Sequence, residues 1–456
     1  MNRIMGRAKI LLILILVLAL GTSFFLGEYI MGASHWIFSA GSPHLYQGGN
    51  LGCGVVTDRN GVLLMDQTEG KVYAPNESLR KATLHWLGDR QGNISAPALA
   101  NYAKELAGFD PISGVYAYGG VGGTMTTALS ARVQIAALEA LGDYKGTVAL
   151  YNYKTGEIIC AVSTPTYDPD NVPDISGDTT GAYTGVYMNR LVQSTYTPGS
   201  IFKIATVAAA LEHIPNIREQ TFTCSGIVEY GIDKVTCEQS HGVLTFDQAF
   251  GRSCNCAFSQ IADQLGGQVL ERYIRQFEIL DSLQFDGIST AKGYIQASGQ
   301  ADVSVAWSAI GQHKDLINPC SYMAFLGAIA NDGVASAPHI VSQVQVGGKV
   351  TYRAQNAQGE RIMSSETAQI LQQLLRNNVA TYYGDSNFPG LQVCAKSGTA
   401  EVGGDRRPNA MFTGFLAEED MPLAFIVAVE DAGYGRPVCV PILSQILSVC
   451  KEVLTS

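Results

Sequence analysis

Only one stretch of this 456-residue sequence, residues 10–27, is both long and strongly apolar. A single membrane crossing is the most it allows. Basic residues are outnumbered, 30 Lys and Arg against 40 Asp and Glu, and the net charge of −10 argues against a nucleic-acid binder. Ten cysteines are too few for a disulfide scaffold. No Cys/His spacing matches a zinc site and the seven histidines are scattered, so neither a metal nor a cofactor is expected. No Gly-x-Ser-x-Gly occurs, which sets aside a serine hydrolase built on a nucleophile elbow. The glycine-rich join at 119–123 has no Gly-Lys-Ser/Thr after it, so it is not expected to hold phosphate. There are no internal repeats.

The rest of the composition is that of a folded body. The length suggests two or three domains, and 46% hydrophobic residues suffice for a sizeable core. Forty-nine glycines fit a body rich in strands and turns. Residues 10–27 are just long enough to span a bilayer. Arg3, Arg7 and Lys9 precede them and few basic residues follow closely. Positive charge stays inside, so the body is expected outside. The run is long for a signal peptide and no small-x-small site follows it, so an uncleaved anchor is expected. In an oxidising compartment some cysteines could pair. Cys224 and Cys237, which bracket a glycine-containing turn, are the candidates for a bridge. Cys254 and Cys256 are expected to pack as small apolar groups.

Asp58-Arg59-Asn60-Gly61, with Asn-Gly between apolar runs, reads as a hairpin. Weak helical patterns follow at 79–87 and 96–106. Ser130 opens an amphipathic helix stopped by Gly142. Residues 147–153 and 157–163 read as strands joined at Lys154-Thr155-Gly156. Thr245 can cap a short helix ending near Gly251, and a further helix runs to about Leu265. Helices are expected at 303–310, 319–330, 365–379 and 441–454, and strands at 391–396, 409–417 and 422–430. Strands at both ends with helices between them imply one sheet that brings 147–163 beside 391–430.

The sequence is organised around Thr197-Pro198-Gly199-Ser200-Ile201-Phe202-Lys203. Pro198 and Gly199 turn the chain into a helix that runs to about Glu212. Ser200 sits at its start, where free backbone N–H groups favour developing negative charge. Lys203 lies three residues on and shares its face. The helix is apolar nearly all round, so it is buried. Burial disfavours the charged amine, and a neutral amine beside a serine can take its proton.

Ser-x-x-Lys alone proves little, since Ser78/Lys81, Ser289/Lys292 and Ser448/Lys451 share it. Order decides. Ser-x-Asn occurs once, at Ser253/Asn255, and Lys-Ser/Thr-Gly twice. Lys154-Thr155-Gly156 is explained as a hairpin turn, whereas Lys396-Ser397-Gly398-Thr399 ends an apolar strand. Ser78 lacks a Pro-Gly turn ahead of it. Ser200/Lys203, Ser253/Asn255 and Lys396-Ser397-Gly398 therefore form one ordered set, with gaps of 253 − 200 = 53 and 396 − 253 = 143 residues.

With these three elements the chain resembles the class B penicillin-binding proteins. Asp58-Arg59-Asn60-Gly61, Ser163-Thr164-Pro165-Thr166-Tyr167-Asp168-Pro169, Asn189-Arg190 ahead of Tyr196, and His241-Gly242 ahead of the Ser-x-Asn loop add to the likeness. The resemblance implies an α+β protein: residues 1–9 cytoplasmic, 10–27 an anchor, 28–125 a linker and small pedestal domain, and 126–456 a transpeptidase domain. That domain has a mostly antiparallel sheet flanked by helices, as in the serine β-lactamases. The implied reaction is acyl transfer on the D-Ala-D-Ala end of peptidoglycan stem peptides. Ser200 would be the nucleophile and Lys203 the base. Ser253 would relay a proton, and Asn255 would hold Lys203 and the substrate amide. Lys396 would keep Lys203 neutral and, with Ser397, Gly398 and Thr399, bind the substrate carboxylate. The backbone N–H groups of Ser200 and Thr399 would form the oxyanion hole. β-Lactams would acylate Ser200. A membrane glycan polymerase of the SEDS family is the implied partner, and the bacterial cytoplasmic membrane the implied location. The sequence departs from many relatives at Cys254, where Asp is usual, at Ser397, where Thr is usual, and in lacking a Trp after the last motif. A carboxypeptidase or β-lactamase-type hydrolase stands as the alternative. So does a non-catalytic β-lactam sensor or scaffold, for which nine residues before the anchor leave no room to signal.

Overall fold

The structure, a computed structural model, describes residues 2–37, 46–47, 50–51, 54–68, 72–110, 115–116 and 122–454. Part of the glycine-rich join at 119–123 lies outside the described residues.

A five-stranded sheet organises the larger part of the chain. Its spatial order is Ile158–Thr164, Gly146–Asn152, Leu423–Val429, Asn409–Leu416, Val393–Ala400, and every pair is antiparallel. The two ends of the body thus meet in the middle of the sheet, with Ala149 opposite Ile426. All seven residues of Leu423–Val429 are buried, because helices cover both faces. Strand side chains alternate between faces, and the core divides accordingly. Ala149, Tyr151, Ala424, Ile426 and Ala428 pack in one cluster with Tyr322 and Phe325 of the helix Pro319–Ala330. Val148, Leu150, Phe425 and Val427 pack in the other with Val133 and with Ile442 and Ile446 of the last helix. Gly327 is required where the Pro319–Ala330 helix meets the Tyr151 hydroxyl, since a Cβ there would overlap it.

The hairpin turn at Lys154-Thr155-Gly156 joins the first two of these strands, as expected. The Ser130 helix is Ala131–Leu141, stopped by Gly142 at φ 51°. Thr245 caps Phe246–Gly251 through a full capping box with Gln248. Two elements differ from the sequence reading. The strand expected at 391–396 starts at Val393 and runs on to Ala400. The last helix starts at Gly435 rather than at 441.

A second sheet has six strands in the order Lys349–Arg353, Val341–Val346, Thr124–Thr127, Val55–Thr57, Leu63–Asp66, Val72–Tyr73. The unit read at 28–125 therefore shares its sheet with residues 341–353. Buried Asp58 holds the turn of its hairpin. Its carboxylate accepts from the N–H groups of Asn60, Val62 and Ala131 at 2.8, 2.8 and 3.0 Å.

The N-terminal helix, Asn2–Ile37, contains an apolar stretch, Ile4–Gly32, whose most apolar 18 residues have mean hydropathy 2.7 and are none of them buried. Twenty-nine residues of helix extend about 44 Å, enough to cross a ~30 Å hydrocarbon core with tilt. The helix Gly435–Leu454 is also long and apolar, at mean hydropathy 1.5. It instead buries Cys439, Leu443, Ile446, Leu447 and Cys450 against the sheet, as a core helix does.

Candidate active site

The serine lies in a single 3-10 turn, Gly199–Phe202, which leads directly into the helix Lys203–His213. Ile201, Phe202, Ile204 and Ala205 are fully buried and fix this turn in the core. Neighbouring segments hold it from several sides. Tyr196 N donates to Ile317 O at 2.9 Å, Gly199 N to Gly311 O at 2.8 Å, and the Tyr322 hydroxyl to Ile201 O at 2.7 Å. Gly199 has φ 56°, and a Cβ on it would sit 2.5 Å from Thr399 O. Only glycine lets the serine turn approach the edge strand Val393–Ala400 so closely.

The three ordered elements converge here. Lys203 Nζ lies 3.2 Å from Ser200 Oγ, 3.0 Å from Ser253 Oγ, 2.7 Å from Ser253 O and 2.7 Å from Asn255 Oδ1. Ser253 reaches it from a left-handed backbone conformation, φ 53°. Asn255 begins the helix Asn255–Leu265, and its Nδ2 donates to Thr236 O at 2.8 Å, which fixes the amide with its oxygen toward the lysine. Burial lowers the Lys203 pKa to about 7, and the Lys396 charge adds to that. Lys396 is buried too, which lowers it to about 7, and its Nζ donates to Ser397 O at 3.1 Å. An amine that gives two N–H bonds to the carbonyl oxygens of Ser253 and Asn255 turns its lone pair toward the two hydroxyls.

Ser200, Ser253, Asn255, Ser397 and Thr399 line one cleft of ≈ 480 Å³. Gly398 lies beneath it, where a Cβ would stand 2.9 Å from Ile201 Cγ2. Because Val393–Ala400 is the edge strand, its outer side is open for an extended ligand to pair with. Ser78/Lys81 and Ser448/Lys451 lie elsewhere: Lys81 pairs with Glu77 at 2.6 Å, and Lys451 donates to Gly390 O at 3.2 Å.

The sequence reading missed several residues. Gln312 donates to Thr399 O at 3.0 Å, tying the edge strand to the loop that also holds Gly199. The buried Tyr383 hydroxyl accepts from Ser397 N at 3.1 Å and lies 3.1 Å from Ser397 Oγ. Arg190 and Tyr196 were named for their likeness to the family, but not their shared partner: Arg190 Nε and the Tyr196 hydroxyl both reach Glu430 Oε1, at 2.8 and 2.9 Å, and clamp the segment before the serine to the end of a central strand. Gly311, which ends a helix at φ 84°, was the one signal in sequence for the loop carrying Gln312.

The cysteine expectations need correction. Cys224 and Cys237 are free thiols, not a bridge. With His241 and Cys254 they form one group whose Sγ and Nδ1 atoms all lie within 4.8 Å of one another, a cluster that the scattered Cys/His spacing did not show. Sequence spacing concealed it because the four come from strand, turn and loop segments that only pairing brings together.

Residues 146–448 match the family model of the penicillin binding protein transpeptidase domain. The chain belongs to this family. Among its relatives is the peptidoglycan D,D-transpeptidase PbpA of Mycolicibacterium smegmatis, 28% identical over 338 residues that cover 68% of each chain. Among solved structures, the D,D-transpeptidase domain of a peptidoglycan glycosyltransferase from Eggerthella lenta superposes with a TM-score of 0.77. It is 25% identical over 88% of this chain and 98% of that one. Penicillin-binding protein A from M. tuberculosis, solved as a ceftriaxone acyl-enzyme complex, has the same fold. Its TM-score is 0.75, with 23% identity over 87% of this chain and 98% of that one. The chain is thus a penicillin-binding protein of class B type.

Proposed function

We propose that this chain is a membrane-anchored peptidoglycan D,D-transpeptidase that crosslinks stem peptides through a serine acyl-enzyme and is acylated at the same serine by β-lactams. The observation that carries the reading is the convergence of Lys203 Nζ on Ser200, Ser253 and Asn255 within 2.7–3.2 Å.

Neutral Lys203 takes the Ser200 proton as Oγ attacks the carbonyl carbon of the penultimate D-Ala. The carbonyl oxygen becomes an oxyanion held by the N–H groups of Ser200 and Thr399, a contribution of roughly 3–4 kcal/mol per donor. Lys396, Ser397 and Thr399 hold the terminal carboxylate, and Gly398 lets the strand lie flat against the serine turn. The C–N bond breaks, and the proton reaches the departing D-Ala amine through Ser253. The amine of a second stem peptide then attacks the Ser200 ester, forming the crosslink and returning a proton to the serine. Asn255 fixes Lys203 and the substrate amide throughout.

The domain plan accompanies this reading. Residues 10–27 anchor the chain in the bacterial cytoplasmic membrane. Residues 28–125 make the pedestal, completed by the strands Val341–Val346 and Lys349–Arg353. Residues 126–456 carry the chemistry outside the membrane. Arg3, Arg7 and Lys9 support that orientation. A glycan polymerase of the SEDS family would meet the chain at the exposed apolar face of its first helix.

Two measurements test the reading. Intact-mass spectrometry with a penicillin should show one adduct on the wild type and none on Ser200→Ala; a labelled variant would refute the nucleophile. Product analysis on a stem-peptide donor with an amine acceptor should give crosslinked dimer. Trimmed monomer alone would make the protein a carboxypeptidase.

A further inference from the structure

Of Cys224, Cys237, His241 and Cys254, Cys237 and His241 line the catalytic cleft, and the acyl-transfer steps above use none of the four. Their placement follows from local pairing. Cys224 ends the strand Thr221–Cys224, which pairs with Gly242–Thr245 so that Cys224 faces Gly242 and His241 comes alongside. The hairpin Ile227–Tyr230/Asp233–Thr236 carries the chain out and back, and Cys237 N donates to Gly226 O at 2.9 Å. The Ser240 hydroxyl closes the turn on Cys224 O at 2.9 Å. Cys254 precedes the helix Asn255–Leu265 and its N–H donates to Ala249 O at 3.0 Å.

The distances have a recognisable scale. A tetrahedral zinc with Zn–S near 2.3 Å and Zn–N near 2.05 Å sets S···S edges of about 3.8 Å and S···N edges of about 3.6 Å. Cys224 Sγ and Cys237 Sγ each lie 3.5 Å from His241 Nδ1, and Cys237 Sγ lies 4.0 Å from Cys254 Sγ. A disulfide would need about 2.05 Å and would strand the third thiol. Three sulfurs and one imidazole nitrogen are a donor set for zinc rather than for magnesium or calcium. Four protein ligands leave no open position, which marks a structural site and not a hydrolytic one.

We propose that Cys224, Cys237, His241 and Cys254 bind one zinc ion that fixes the Ser253–Asn255 loop against Lys203. Cys254 lies between the two residues that contact the lysine amine, so a metal bond to its sulfur restrains both neighbours. It holds Ser253 in its left-handed conformation and keeps Asn255 Oδ1 on Lys203. The four ligands join the β-hairpin that rims the cleft to the catalytic loop. Their side chains would be taken up by the metal and would act on the reaction only through Ser253 and Asn255, so they are positioning residues.

The test uses the full chain purified in detergent without added thiol reductant. Elemental analysis should find one zinc per chain. Replacement by Co(II) should give visible bands of tetrahedral type with thiolate-to-metal charge transfer. Cys224→Ser and His241→Ala should each lose most of the metal. Chelation of the wild type should slow penicillin acylation at Ser200 by about 10²-fold, the scale of an ångström-sized misplacement, and added zinc should restore it. Wild-type protein that neither carries zinc nor takes up Co(II) overturns the site, as does recovery of a Cys224–Cys237 disulfide. Stoichiometric zinc whose removal leaves acylation unchanged overturns the positioning role. Metal content and the Co(II) spectrum are read without reference to turnover, so they stand or fall apart from the transpeptidase reading.

Discussion

Lys203 and Lys396 are the two residues at which burial does chemical work. Each amine is held near pKa 7, against 10.5 for a solvated lysine, with desolvation as the leading cause. With neutral Lys203 as the proposed base and charged Lys396 as the proposed partner of the carboxylate, acylation of Ser200 by penicillin should rise to a maximum near pH 7 and fall above it. The Lys396 charge helps to keep Lys203 deprotonated. In Lys396→Met the rising limb of that profile should therefore move upward in pH and the falling limb disappear, while the maximum rate drops because the substrate carboxylate loses its cation. A pH–rate series by stopped-flow or mass spectrometry checks both; an unmoved rising limb would remove the electrostatic role. The stability consequence has a definite sign. Between about pH 7 and 10.5 the unfolded chain binds the protons that the folded lysines have released, so stability rises with pH across that window and the cost of burial is full below it.

At the scale of elements, the decisive contact is between the 3-10 turn Gly199–Phe202 and the edge strand Val393–Ala400. The strand's continuation through Lys396-Ser397-Gly398-Thr399 turns a motif into a rail beside the nucleophile. Gln312 and Tyr383 hold that rail at Thr399 O and Ser397 N. Gly199→Ala tests the contact. Its Cβ would meet Thr399 O at 2.5 Å from a backbone at φ 56°. The variant should lose about 1–3 kcal/mol of stability and acylate slowly, because the two oxyanion donors no longer face one point. Thermal unfolding together with the acylation rate measures this. A wild-type melting point and rate would show that the close approach is not required.

At the scale of the whole molecule, an exposed apolar helix, a six-stranded sheet and a five-stranded sheet with helices on both faces follow one another, and residues 341–353 stitch the second to the third. Removing residues 1–37 should move the protein from the membrane fraction to the soluble fraction while leaving penicillin acylation intact; retention in membranes would point to a second contact surface. Much of this plan was legible in the sequence. The N-terminal apolar run, the Asn-Gly hairpin at Asp58, the capped helix after Thr245 and the apolar strand at 422–430 are local patterns, and local patterns fix local structure. The order Ser200/Lys203, Ser253/Asn255, Lys396-Ser397-Gly398 identified the chemistry because each element carries its own geometry on a turn, a loop or a strand. What sequence could not yield were relations between segments with no shared period. Gln312 on Thr399, Tyr383 on Ser397 and the Arg190–Glu430–Tyr196 clamp are long-range contacts between residues whose types are common everywhere. The cysteines show the division most clearly. Sequence spacing suggested a Cys224–Cys237 bridge, whereas strand pairing of Cys224 with Gly242 and the helix start at Cys254 gathered three sulfurs and His241 around one point. Side-chain chemistry and local turns were written in the chain. Which distant side chains share a cavity was decided only by how the strands pair and the helices pack.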